Sequence, residues 1–207
     1  MPANRYELTN ITLQLPSGVV LRRIRAVEKF TLSDGSVVSK GTLGGYVESA
    51  RNLDQSGNSW IFGDGKSYGQ ARVAGSAIIR DSAQIFQQAM AYGQAVIELR
   101  AVVYGQARIL EHCRVRCDAQ VRDFAKCYGA ATITGNSLVG GQARIAGHAI
   151  ISGHVTVEGQ PRVYGHASLL EDVWIGGETR IFGRTVMMGR SRADAESRIS
   201  GCVVMKD

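Results

Sequence analysis

From Trp60 to Val203 the chain is one unbroken series of six-residue repeats, 24 hexads without a single inserted residue. Cut at Trp60, it reads WIFGDG, KSYGQA, RVAGSA, IIRDSA, QIFQQA, MAYGQA and onward. The second position is Ile or Val in 18 hexads, the fourth is Gly in 16, and the sixth is always small, Ala in 13. A six-residue period fits neither a helix nor an alternating strand. It fits a solenoid in which short strands stack coil upon coil. Three hexads make an 18-residue triangular coil, with the second-position aliphatics pointing into a shared lumen and the small sixth-position residues fitting where the walls crowd. Glycine suits the fourth position because a corner needs φ > 0. Eight such coils, paired in parallel at ~4.8 Å, form a prism.

The chain divides into residues 1–59, an N-terminal capping segment, and residues 60–207, the β-helix. An open coil end exposes apolar lumen and unpaired backbone, so solenoids need that end covered. Alternation in Val19–Ile24 and the Ser33-Asp34-Gly35-Ser36 turn signal predict short strands over the first coil. The last coil carries no comparable cover, leaving fraying or end-to-end packing as alternatives. The N-terminus lacks a signal-peptide layout, and no apolar run approaches the ~20 residues of a membrane span. Cys113, Cys117, Cys127 and Cys202 show no CxxC pairing, so neither zinc nor a disulfide framework is indicated. Cys113 and Cys127 fall at inward positions, where a thiol acts as a small hydrophobe. A cytoplasmic setting with reduced thiols follows as the expectation.

The N-terminal segment Leu21-x-Arg23-Ile24-x-Ala26-x3-Phe30, then Gly44-Gly45-Tyr46-Val47-Glu48, then Asn52-Leu53-x-Gln55-x-Gly57-Asn58-Ser59-Trp60, resembles the start of the YdcK-like β-helix proteins. With the hexads it resembles the hexapeptide-repeat superfamily as a whole. That resemblance implies an all-β, left-handed, single-stranded parallel β-helix with an N-terminal β cap, of bacterial, prophage or phage origin. It supplies no activity.

Residues 18 apart stack in columns. On the third face, the first-position column is Arg72, Met90, Arg108, Lys126, Arg144, Arg162, Arg180, Arg198. Two residues on runs Ala74, Tyr92, Leu110, Tyr128, Ala146, Tyr164, Phe182, Ser200. Stacked like charges repel, so the ladder needs an answer. Three are open: Arg–Tyr cation–π contacts within the chain, a protein partner, or a polyanion with phosphates on the cations. The leading reading is a non-enzymatic scaffold or binding protein that uses this face for self-association, as a dimer or trimer, or for a host protein. Nucleic acid is an alternative partner, and no membrane partner is indicated. A second face carries Tyr68, Phe86 and Tyr104 as an aromatic stack, and its corner column Gln70, Gln88, Gln106, Phe124, Gln142, Gln160 reads as an amide ladder. The enzymatic alternative is an acyltransferase using acetyl-CoA, with His148 or His166 as base. His112, His148 and His166 share one corner column, where His can simply replace the usual Gln. Otherwise neither cofactor nor metal is called for.

Overall fold

The computed structural model describes residues 4–202 and 204–206; Val203, which closes the last hexad, and Asp207 lie outside them. The protein is a parallel β-helix behind an N-terminal β cap. Three parallel sheets form its walls, with partner residues 18 apart throughout, as in Ile78↔Val96, Gln84↔Val102 and Met90↔Arg108. The first face has nine strands, from Trp60–Ile61 to Val204–Lys206. That makes about nine turns, one more than the hexads alone predict, because Val204–Lys206 adds a strand beyond the last hexad by pairing with Val186–Met188.

The lumen is closed by the residues the repeat assigns to it. Ile61, Val73, Ile79, Ile85, Ile97 and their equivalents are completely buried, as are the sixth-position alanines such as Ala77, Ala83 and Ala95. Ser67, the one polar second-position residue, donates its hydroxyl to the Asn52 carbonyl at 3.3 Å.

The fourth position is left-handed in every hexad, whatever residue occupies it. The eight non-glycine residues with positive φ are Asp81, Gln87, Leu99, Glu111, Cys117, Asp123, Glu171 and Ala195, all at this position. Such a conformation costs a side-chain-bearing residue about 1–2 kcal/mol. Most of them offset it in the same way. The N–H of the fourth-position residue one coil on has no role in the ladder, and the side chain below accepts it: Asp81 from Leu99 at 2.9 Å, Gln87 from Gly105 at 2.7 Å, Glu111 from Gly129 at 2.8 Å, Asp123 from Gly141 at 2.9 Å, and Glu171 from Gly189 at 2.8 Å. Leu99 has no acceptor to offer.

The cap extends a sheet as well as covering an end. Strands β1 (Tyr6–Gln14) and β2 (Val20–Ala26) form an antiparallel hairpin, and β2 pairs antiparallel with β5 (Leu43–Val47). β5 then pairs in parallel with Lys66–Ser67, so the cap adds three strands to the edge of the second face. The turn at Ser33–Ser36 joins β3 (Phe30–Thr31) to β4 (Val37–Val38) as expected. Gly44 and Gly45 explain the paired glycines of the motif. A Cβ on Gly44 would lie 2.7 Å from the Trp60 ring, and one on Gly45 2.4 Å from the Gly65 carbonyl. Trp60 is fully buried beneath Tyr6 and Phe30, edge-on to both at 6.5 and 5.5 Å. Tyr6 donates its hydroxyl to the Leu53 carbonyl at 2.7 Å; burial, and then the charge of Asp54, push its pKa up to about 12.

One expectation about the lumen is corrected. Cys113 and Cys127 are inward and fully buried, but they are joined as a disulfide with Cα atoms 6.1 Å apart. A sixth position and the second position of the next coil converge on one side of the lumen. Linear spacing alone does not reveal that juxtaposition.

Candidate functional site

The third face presents its first-position column in unbroken register: Arg72↔Met90↔Arg108↔Lys126↔Arg144↔Arg162↔Arg180↔Arg198. All six arginines between Arg72 and Arg198 are exposed, and Lys126 is half-buried. Each is held outward because its neighbour at the second position is committed to the lumen. Among the described residues, none of these seven cations forms a salt bridge.

The aromatic column answers the charges at a single rung. Arg198 lies over Phe182 at 5.1 Å, and Phe182 stacks on Tyr164 at 5.0 Å. Tyr92 is more than half exposed at 54%, and neither it nor Tyr128 stacks on another ring among the described residues. The intramolecular cation–π explanation therefore covers one arginine of the ladder and leaves the others unanswered.

The corner between the second and third faces holds a feature the sequence reading missed. Gln106, Arg108, Phe124, Lys126, Gln142 and Arg144 line a groove of about 360 Å³. A larger cavity of about 660 Å³ lies on the same edge beside the cap, lined by Glu48, Asp54, Gln70 and Arg72 among others, and another lies further on among Glu178, Arg180, Glu196 and Arg198. The groove is thus cationic in its middle and carries carboxylates at both ends. Asp123, adjacent in sequence to Phe124, is engaged with the Gly141 N–H and with Arg122 at 3.7 Å. The expected amide ladder does not form. Gln70, Gln88, Gln106, Gln142 and Gln160 are exposed, and none makes a side-chain hydrogen bond among the described residues, because at an open corner they splay toward water. Phe124, at 54% exposure, interrupts that column as a bare ring.

His148 and His166 stack ring on ring at 4.9 Å, both exposed. Neither side chain has a hydrogen-bond partner or a carboxylate among the described residues, so nothing orients an imidazole as a base. His112 is separated from them by Ala130. His154, unweighted in the sequence, lies 3.6 Å from Asp172 and 3.1 Å from Asn136, an exposed polar chain on another corner. No protein-family model matches the chain, and no curated protein matches it closely enough to be called similar. The site is therefore read from its own chemistry.

On the second face, Tyr68, Phe86 and Tyr104 stack at 4.9 and 5.3 Å, nearly parallel, as expected of an aromatic ladder. Beyond them Arg122 reaches across Gly140 to Glu158. Cys117, one of two free cysteines, sits at a corner. The Thr134 hydroxyl, at 3.3 Å, and then the Gly135 N–H hold its pKa below the usual thiol range. Among the described residues no three His, Cys, Asp or Glu side chains are placed to hold a metal ion, and no helix is long and apolar enough to cross a membrane.

Proposed function

We propose that this is a non-enzymatic β-helical binding protein whose working surface is the third face, and that its partner is anionic. One observation carries the reading: a column of seven cations in strand register with no carboxylate partner. Like charges at ~4.8 Å destabilise a folded chain and are retained where an external anion answers them. A second copy of the chain is the partner least favoured by electrostatics. Face-to-face packing would bury unpaired cations against one another, which is strongly unfavourable. The other two faces offer few carboxylates in exchange, with Glu98, Glu158 and Asp194 the only ones in their outward columns. Membership of the YdcK-like, left-handed family and a phage or bacterial origin belong to the same proposal; the Cys113–Cys127 disulfide does not accord with the reducing cytoplasm expected from the sequence and favours an oxidising setting such as the virion.

The test is retention on a sulfated-polymer matrix. The wild-type protein is expected to bind and to elute with salt through counterion release. The Arg144→Glu/Arg162→Glu variant should elute far earlier while its melting temperature is unchanged or higher. Unaltered retention of the folded variant would sink the proposal. Light scattering on both proteins checks the oligomer separately: assembly lost with the charge reversal would restore self-association as the use of this face.

A further inference from the structure

We infer that the middle of the corner groove takes single-stranded nucleic acid, with phosphates on Arg108, Lys126 and Arg144 and a base stacked on Phe124; this rests on the anionic-partner reading above. Four features of the groove converge on that ligand. The cations run in one column, which follows one backbone and not the two of a duplex. Carboxylates return at Glu178 and Glu196, so the unopposed stretch ends at Arg162. From Arg108 that spans three strand spacings, about 14 Å, a contact of only a few nucleotides.

The third feature is Phe124. Its ring is 54% exposed on a charged edge, so a π-face is open to a ligand. It shares the groove with Lys126, which follows it by two residues, so a chain held on the cations brings its bases within reach. Base–aromatic stacking is the usual partner of a phosphate-tracking cation row in single-strand binding. A duplex keeps its base faces stacked internally and offers Phe124 nothing. The fourth feature is the pair of unengaged amides, Gln106 and Gln142, one coil to either side of Phe124. Each presents a donor and an acceptor, which suits base edges, whereas an acceptor-only polyanion such as polyphosphate could use the donor alone.

The experiment is fluorescence anisotropy with a short labelled oligothymidylate, with heparin and duplex DNA as comparison ligands, on the wild type and on Phe124→Ala, Phe124→Leu and Arg144→Glu. Oligothymidylate affinity should fall with salt with a logarithmic slope of about −2 to −3, as three or four neutralised phosphates require. Phe124→Ala should weaken oligothymidylate about tenfold or more and leave heparin within twofold. Phe124→Leu keeps the apolar bulk without the π-face and should behave like Phe124→Ala. Arg144→Glu should weaken both ligands. If the Phe124 variants change neither ligand, or change both equally, the groove is a general polyanion or glycan surface; the inference then falls while the proposed function stands. Duplex binding as tight as single-strand binding overturns it in the same way. If the wild type binds none of the three ligands, the inference and the anionic-partner reading fall together.

Discussion

The cap-covered start of the first face and the bare third face place outward residues on the same kind of strand, yet their fates are opposite. At the start of the first face, Trp60 and Ile78 point away from the lumen and are nonetheless fully buried, because the cap lies over this end: Tyr6 and Phe30 are edge-on to Trp60, and Ser33 of the β3–β4 turn donates its hydroxyl to the Ser76 carbonyl at 3.1 Å. On the third face the first-position column is cationic except at Met90, and its six arginines remain exposed from Arg72 to Arg198. Where the chain needs an apolar wall answered, it supplies the answer itself. Where it stacks seven cations, it supplies one ring, and the remainder points to something outside the chain.

The comparison can be broken most severely at Trp60. Trp60→Ala removes the central ring of the plug and should cost about 3–5 kcal/mol, read as a lower denaturation midpoint, with binding on the third face unchanged if the two regions are independent. Beneath that face, separating Cys113 from Cys127 by double alanine substitution should cost about 3 kcal/mol for a loop of this length. Counting titratable thiols under denaturing conditions checks it first: two free thiols accord with the disulfide, four with the reduced chain expected from sequence.

Smaller effects sharpen the contrast. Leu99→Gly relieves a left-handed corner with no compensating bond and should stabilise by about 1 kcal/mol. Glu111→Gly relieves the same conformation but forfeits the bond from the Gly129 N–H, so its thermal melt should hardly move. A further small effect belongs to the strap between cap and solenoid, where Asp34 meets Arg80 at 2.6 Å. Burial raises the Asp34 carboxyl, but the Ser36 N–H and Arg80 outweigh it, and the net shift is downward. A carboxyl lowered on folding contributes stability above its unfolded pKa and loses it as pH falls through the folded value. Asp34→Asn should therefore cost at most about 1 kcal/mol near neutrality and remove that share of the acid sensitivity, seen by comparing melts at neutral and acidic pH.

Much of the fold was legible because a repeat states its own contacts: residues 18 apart had to be neighbours once the hexad was recognised, and the Arg72–Arg198 column followed from counting. The cap was legible only in part. Its turn and β2 carry local signals, but the pairing of β5 with Lys66–Ser67 is set by close approach at Gly44 and Gly45, a three-dimensional condition. The candidate site was half legible. Arg108, Lys126 and Arg144 are legible in the sequence, whereas the groove with Gln106, Phe124 and Gln142 is not, because these residues belong to a different face and a corner column of amides reads along the chain as self-satisfied.

The sequence by itself determined the period, the lumen, the corners and the columns, because each depends on residue type at a fixed step along the chain. Only the tertiary structure decided which columns are answered. Whether a cation finds a carboxylate, an amide its ladder, or two cysteines each other depends on where side chains from different coils and faces meet. That geometry arises when the prism closes, and no spacing along the chain encodes it.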